Sequence, residues 1–303
     1  MDTHLRELER LWRASRSVES AEGVLTAADR AGGADLVNDV LGSLAGMWEE
    51  QRCEKAAEVA LRWVDRLPTD RRLGFSHVVD RLACAGHPGA ASRYREWFPE
   101  LARVIGVSPP LRECRRRIAE WAHGDHAVLI AGESGVGHEF TARVLHELSG
   151  RGELGVVHAA SSTGDLYEYE ITNTVPEDGT IYLAYADPDV RPARALELAR
   201  ARRSRLIVGT YQEPTDPGWG SELAQHVIAI PPLRARFEDL RLLVVDLCRR
   251  GGRDLDPPEE FLAHLRRFSW GGNVRHLEFM LQAHLQLHPD DLFRPESWDR
   301  LRG

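Results

Sequence analysis

Lysine is almost missing from this chain of 303 residues. Lys55 stands alone, and every other member of the Lys+Arg total of 39 is arginine. A GC-rich genome produces that bias, so the lack of lysine at one position is weak evidence by itself. Cysteine is scarce too: Cys53, Cys84, Cys114 and Cys248 are scattered, with no CxxC pair. That argues against a metal knuckle or a disulfide framework, and for buried free thiols in a reducing cytoplasm. No run approaches the roughly 18 consecutive apolar residues of a membrane span, so a membrane-embedded protein is not expected. The opening MDTHLRELERLWR is charged and amphipathic, without the apolar core of a signal peptide. Positive charge is in deficit as well. A net charge of -8 opposes broad, non-specific binding to DNA or anionic membranes, though not a local basic patch.

What remains is an ordinary globular composition, 43% hydrophobic and 28% charged, with length for two domains at roughly 100–200 residues each. Residues 1–103 read as helices throughout. Apolar residues recur at helical spacing in LRELERLW, LVNDVLGSLAGMW, AAEVALRWV and LGFSHVVDRLACAG, separated by RAGGAD, RLPTDRR and AGHPGA, where Gly and Pro turn the chain. Short turns between amphipathic helices give antiparallel hairpins, either tetratricopeptide-like or a plain bundle. Trp63, Trp97 and Phe98 read as core packing rather than a ligand cage.

From residue 104 the character changes. Apolar strand-like runs at 126–130, 155–159, 180–186 and 205–211 alternate with helical stretches from Glu139 to about Ser149 and at Pro192–Arg203. Continuous apolar strands alternating with helices predict a mostly parallel sheet covered on both faces. After Pro231 and Pro232 the chain reads as helical, broken at RRGGRDLDPP and SWGGN. The expected plan is a helical interaction domain (1–103), an α/β core (104–236) and a C-terminal helical lid (237–303).

Six phrases in the second half fall in one order: VIGVSPPLRECRRRI, VLIAGESGVGHEFTARVLHELSGR, DGTIYL, RLIVGT, IPPLRARFEDL and FSWGGNVRHLE. Over about 104–285 they resemble the AAA+ domain of sigma-54-dependent transcription activators, the enhancer-binding proteins. The resemblance implies a P-loop-type α/β fold with a small helical lid. It also implies an ATP site in which backbone N–H groups of Glu133, Ser134, Gly135, Val136 and Gly137 cradle phosphate at the start of a helix, with Gly132, Gly135 and Gly137 permitting the tight turn. Glu139 matches the family's own residue after the loop, and Arg275, in NVRHLE, matches its phosphate-sensing arginine.

Against that pattern, the hydrolytic parts are missing. The P-loop lysine is His138, and an imidazole is shorter and, with a reference pKa near 6.5, mostly neutral at pH 7. The Asp-Glu pair ending the family's Walker B strand is Ala184-Tyr185 here. A working enzyme would require Asp187 or Glu177 to take over their duties. The sensor position after RLIVGT is Tyr211 in place of a polar residue. GWGSELAQHVIA, where the family carries its arginine fingers, has no arginine, which argues against a working ring hexamer. Arg234 and Arg236 of PPLRAR remain. The interval ELGVVHAASSTGDLYEYEITNTVPEDG has no GAFTGA loop and no evident room for a helical insertion, and little sequence follows the lid to hold a DNA-binding helix-turn-helix. A zinc site is not expected, because HEFTA lacks the second histidine of HExxH.

Three functional classes follow. The first is a pseudo-ATPase, a catalytically inactive regulatory protein that binds an unidentified protein partner, with neither DNA nor membrane contact and no required cofactor. The second is a switch that binds ATP or ADP through 132–139 and Arg275 without cleaving it. The third is an atypical ATPase or activator.

Overall fold

The computed structural model describes residues 3–158, 165–186, 192–211, 220–287, 292–293 and 298. The chain divides into two compact units, residues 1–102 and 103–303.

The first unit is all helical. Its longer helices, Thr3–Ser15, Val18–Arg30, Ala34–Gln51, Glu54–Asp65, Ser76–Cys84 and Pro88–Trp97, pack largely on their chain neighbours. Local chemistry sets the starts. The Ser17 hydroxyl accepts the Ser20 N–H at 3.3 Å. At the last of these helices the His87 ring accepts the Ala90 N–H at 3.1 Å, with Pro88 at the first helical position. Trp12 is fully buried and donates its indole N–H to Asp39 at 3.1 Å. Trp63 packs edge-on against Phe75, and Phe98 lies buried beside Tyr94. Trp97 is only half-buried, with the Arg72 guanidinium over its ring at 4.8 Å. Of the four free cysteines, Cys114 and Cys248 are buried, whereas Cys53 and Cys84 are half-buried.

The second unit is built on five parallel strands: β1 (Val128–Ala131), β2 (Leu154–His158), β3 (Thr180–Ala184), β4 (Arg205–Thr210) and β5 (Val227–Ala229), in the order β2-β3-β4-β1-β5. Every residue of β1, β3 and β4 is buried, as parallel strands covered on both faces require. From β1 the chain crosses to the far edge at β2, returns through β3 and β4, and ends with β5 on the other flank of β1. That reversal opens a crevice at the carboxyl ends of the central strands, where open α/β sheets bind their ligands.

Two elements were not legible beforehand. The interval between β2 and β3, expected to hold no GAFTGA loop and no helical insertion, carries the connecting helix Asp165–Thr174, and Tyr167, Ile171 and Val175 bury a single stripe four residues apart. Thr and Asn weaken its helix propensity, which hid the stripe. The edge strand β5 is too short to stand out by pattern. Beyond Pro232, helices Leu240–Arg250, Glu259–Leu265 and Asn273–Leu287 close a second core around Phe261, Leu265, Trp270 and Leu277. No helix among the described residues is long and apolar enough to cross a membrane.

Candidate functional site

The site begins where β1 ends. Residues 132–137 form the loop between β1 and the helix His138–Ser149, so that helix points its free N–H groups back at the loop. Gly135 and Gly137 hold φ of +79° and +116°, a region that side chains rarely adopt. A methyl group on Gly135 would also overlap the Gly272 carbonyl oxygen of the lid. The six loop residues named from sequence thus stand together at a helix N-terminus, with Glu139 in the first turn of that helix and the Arg275 side chain against Gly135.

His138 does something a lysine would not. It is 5% exposed, and its Nε2–H donates to the Thr210 carbonyl at 3.0 Å, the same oxygen that accepts the Gly132 N–H at 3.2 Å. The ring is therefore turned toward the base of the loop and the end of β4. Burial pushes its pKa down, bonds to the Thr210 and Gly132 backbone oppose that, and the charge of Arg275 adds to the depression. The imidazole is neutral at pH 7 and brings no charge to the cradle.

The carboxyl ends of the next strands carry rings instead of acids. His158 at the end of β2 stacks on Tyr185 after β3, with centroids 5.7 Å apart. Tyr185 meets Tyr211 after β4 at 5.3 Å, and Tyr211 meets His138 edge-on at 5.3 Å. Four rings thus run across the ends of three strands to the loop. Tyr185 has φ +59°, the left-handed region, at the position of the expected catalytic acid. Arg275 lies beside Tyr185, whose hydroxyl raises the Arg275 pKa, and Ser134 and Tyr185 are polar neighbours of Tyr211. Ala184 is buried at the end of β3. Glu177 precedes β3, at the strand's opposite end from the loop, so it cannot stand in for the missing acids. Asp187 lies outside the described residues. Residues 220–229 of the arginine-finger segment form the helix Gly220–Gln225 and β5.

The lid is tied to the loop residue by residue. Asn273, fully buried with φ +50°, donates to the Ser134 carbonyl at 2.9 Å and to Glu133 at 3.2 Å. It also accepts the Leu233 N–H at 2.8 Å. Glu133 pairs with Arg234 at 2.6 Å, and that bond holds its carboxyl below the usual range. The Arg275 N–H reaches the Gly135 carbonyl at 3.2 Å. Asp239, also fully buried, accepts the N–H groups of Val107 and Ser108 and the Ser108 hydroxyl at 2.6–2.8 Å, which anchors the segment opening this unit. Sequence reasoning assigned no role to Asn273 or Asp239. Asparagine's tolerance of left-handed backbone after two glycines was the available signal for the first; nothing local marks the second.

Between loop, opening segment and lid lies a cavity of about 400 Å³, lined by the apolar Val104, Ile105, Leu111, Ile230 and Val274 and also by Gly135–Glu139, Arg236 and Arg275. That size and mixture suit a small ligand. Arg236 is 4% exposed; one guanidinium N–H reaches the Val136 carbonyl at 3.5 Å, and its Nε has no hydrogen-bond partner. Among the described residues no group of three or more potential metal ligands occurs.

Several known proteins resemble this chain. Residues 104–171 match the Sigma-54 interaction domain family. The chain is 28% identical to the response regulator protein PilR of Pseudomonas aeruginosa, over 64% of this chain and 54% of that protein. It is 29% identical to the formate hydrogenlyase transcriptional activator FhlA of Escherichia coli, over 65% and 36%. It is 28% identical to the DNA-binding transcriptional regulator NtrC of Bradyrhizobium, over 62% and 49%. It therefore spans about a third to a half of the length of these relatives. Among solved structures, NtrX from Brucella abortus in complex with ADP aligns with a TM-score of 0.52 at 20% identity, covering 85% of this chain and 72% of that one. Its complex with ATP gives 0.54 at 19%, covering 85% and 70%. The resemblance to sigma-54-dependent activators stands, as does the AAA+ α/β fold with a helical lid behind an all-helical region.

Proposed function

We propose that this sigma-54-activator-like chain is a catalytically inactive regulatory protein, which acts by binding a protein partner. The row of rings His158, Tyr185, Tyr211 and His138 carries the reading, because it occupies the strand ends where phosphoryl transfer needs its charges. Hydrolysis of a nucleoside triphosphate depends on a cation at the phosphates, an acid to hold Mg²⁺ and an acid to polarise water. His138 donates to the backbone and its burial favours the neutral ring, Ala184 offers no side-chain oxygen, and Tyr185 presents a phenol beside Arg275 in place of a carboxylate. A fold can persist as a scaffold after its chemistry is gone, since the chemistry resides in a few site residues. The helical unit then supplies a surface for a protein partner, and the net charge of -8 favours protein over nucleic acid or membrane. The direct test is ATP hydrolysis by purified protein with Mg²⁺ at millimolar ATP. The expected rate is indistinguishable from background; turnover above it that Tyr185→Phe abolishes would sink the proposal.

The formed cavity favours a second reading, a nucleotide-occupied switch without hydrolysis. A ligand bound only to the folded state stabilises it by RT ln(1 + [L]/Kd). Calorimetric titration with ADP and ATP at pH 7 decides it, with micromolar affinity expected and no heat at millimolar nucleotide counting against it.

A further inference from the structure

We propose that the cavity selects a nucleoside diphosphate over the triphosphate and binds it without a divalent cation; this rests on the switch reading above. The argument starts from charge. Of the arginines around the cavity, Arg143, Arg250 and Arg103 are each neutralised by a carboxylate: Glu139, Asp246 and Glu147. Arg236 and Arg275 are not in those pairs. Arg236 is the more informative, a guanidinium almost wholly withdrawn from water with its Nε unpartnered, and its nearby counter-charge Asp239 is spent on hydrogen bonds to Val107 and Ser108. A buried cation left short of partners costs stability, and an anion in the cavity relieves that cost. The helix His138–Ser149 adds its free N–H groups at the same place. The apolar wall of Val104, Ile105, Leu111 and Val274 suits a flat heterocycle.

The limit on phosphate number comes from the other end. Loop amides hold the phosphates nearest the helix N-terminus, and a third phosphate would extend toward the carboxyl ends of β3 and β4. Tyr185 and Tyr211 stand there, with ring centroids 5.3 Å apart, and the Tyr185 hydroxyl is a polar neighbour of Arg275. The extra charge would meet a neutral imidazole in place of lysine. It would also lack its usual counter-ion, because Ala184 and Tyr185 present no carboxylate to hold Mg²⁺. The two phosphates of a diphosphate need neither.

Calorimetry with AMP, ADP and ATP, each with Mg²⁺ and with EDTA, tests this on the full chain. The expected result is ADP binding at least about tenfold tighter than ATP, unchanged by EDTA. Tyr185→Phe, which keeps the ring and removes the hydroxyl beside Arg275, should narrow that preference mainly by strengthening ATP. Arg236→Gln should weaken ADP about tenfold or more, with circular dichroism and melting confirming its fold. ATP binding as tightly as ADP, or requiring Mg²⁺, overturns the selectivity while leaving the switch reading intact. No binding by any nucleotide overturns both, and the pseudo-ATPase reading survives.

Discussion

His138 is where the residue scale is sharpest, because one side chain has exchanged a role toward ligand for a role toward backbone. Its ring donates to Thr210 and sits against Tyr211, so it holds the start of the helix to the end of β4. The pH consequence has a definite sign. Burial lowers the folded-state pKa below the unfolded value of about 6.5, so below that pH the unfolded chain binds a proton that the folded site refuses. Its contribution is therefore complete above about pH 6.5 and is lost as pH falls toward the depressed folded value. Urea midpoints at pH 7.5 and 5.5 should show the acid loss, and His138→Gln, which still donates to Thr210, should shrink the pH dependence. An unchanged pH dependence in that variant would place the titration elsewhere.

At the scale of elements, buried polar groups decide where helices and strands meet. Arg205, the first residue of β4, is fully buried and donates to the Ala122 carbonyl at 3.0 Å, the His126 carbonyl at 3.1 Å and the Trp121 carbonyl. Two of those acceptors are in the last turn of the helix Pro109–Ala122, where carbonyls lack intrahelical partners and the dipole favours a cation. Withdrawal from water lowers the Arg205 pKa to about 10, which still leaves it charged at pH 7. Arg205→Leu removes the charge and leaves three carbonyls without donors, a loss expected at about 3 kcal/mol by denaturant unfolding. A change under about 1 kcal/mol would mean that water reaches those carbonyls.

At the scale of the whole second unit, lid and sheet are joined through the loop by Asn273, Arg234 and the Arg275 backbone. Asn273→Ala should cost about 2–3 kcal/mol, since it strands the Leu233 N–H and the Ser134 carbonyl in a buried place. Hydrogen exchange should also quicken in residues 133–138 before it does in β1. If exchange quickens uniformly instead, the lid and sheet melt as one body and the clasp has no local effect.

How much of this could be read in advance varies with the physics behind each part. β1, β3 and β4 were legible because both faces are buried, which leaves continuous apolar runs; β5 and the helix Asp165–Thr174 carry too few apolar residues to register. Gly135 and Gly137 advertised the loop, because positive φ and close approach demand glycine. Replacement of the lysine and both acids was also visible, since it concerns which residue stands at a given place in a phrase. The sequence by itself thus determined the layered α/β plan, the loop and which residues stand where the resemblance expects hydrolytic groups, all of which depend on local pattern. Only the tertiary structure decided that His138 bonds to Thr210, that Tyr185 stands beside Arg275, and that four rings from four segments close the strand ends. Those contacts join residues far apart in the chain, and a strand order that reverses at β1 is what brings them within reach.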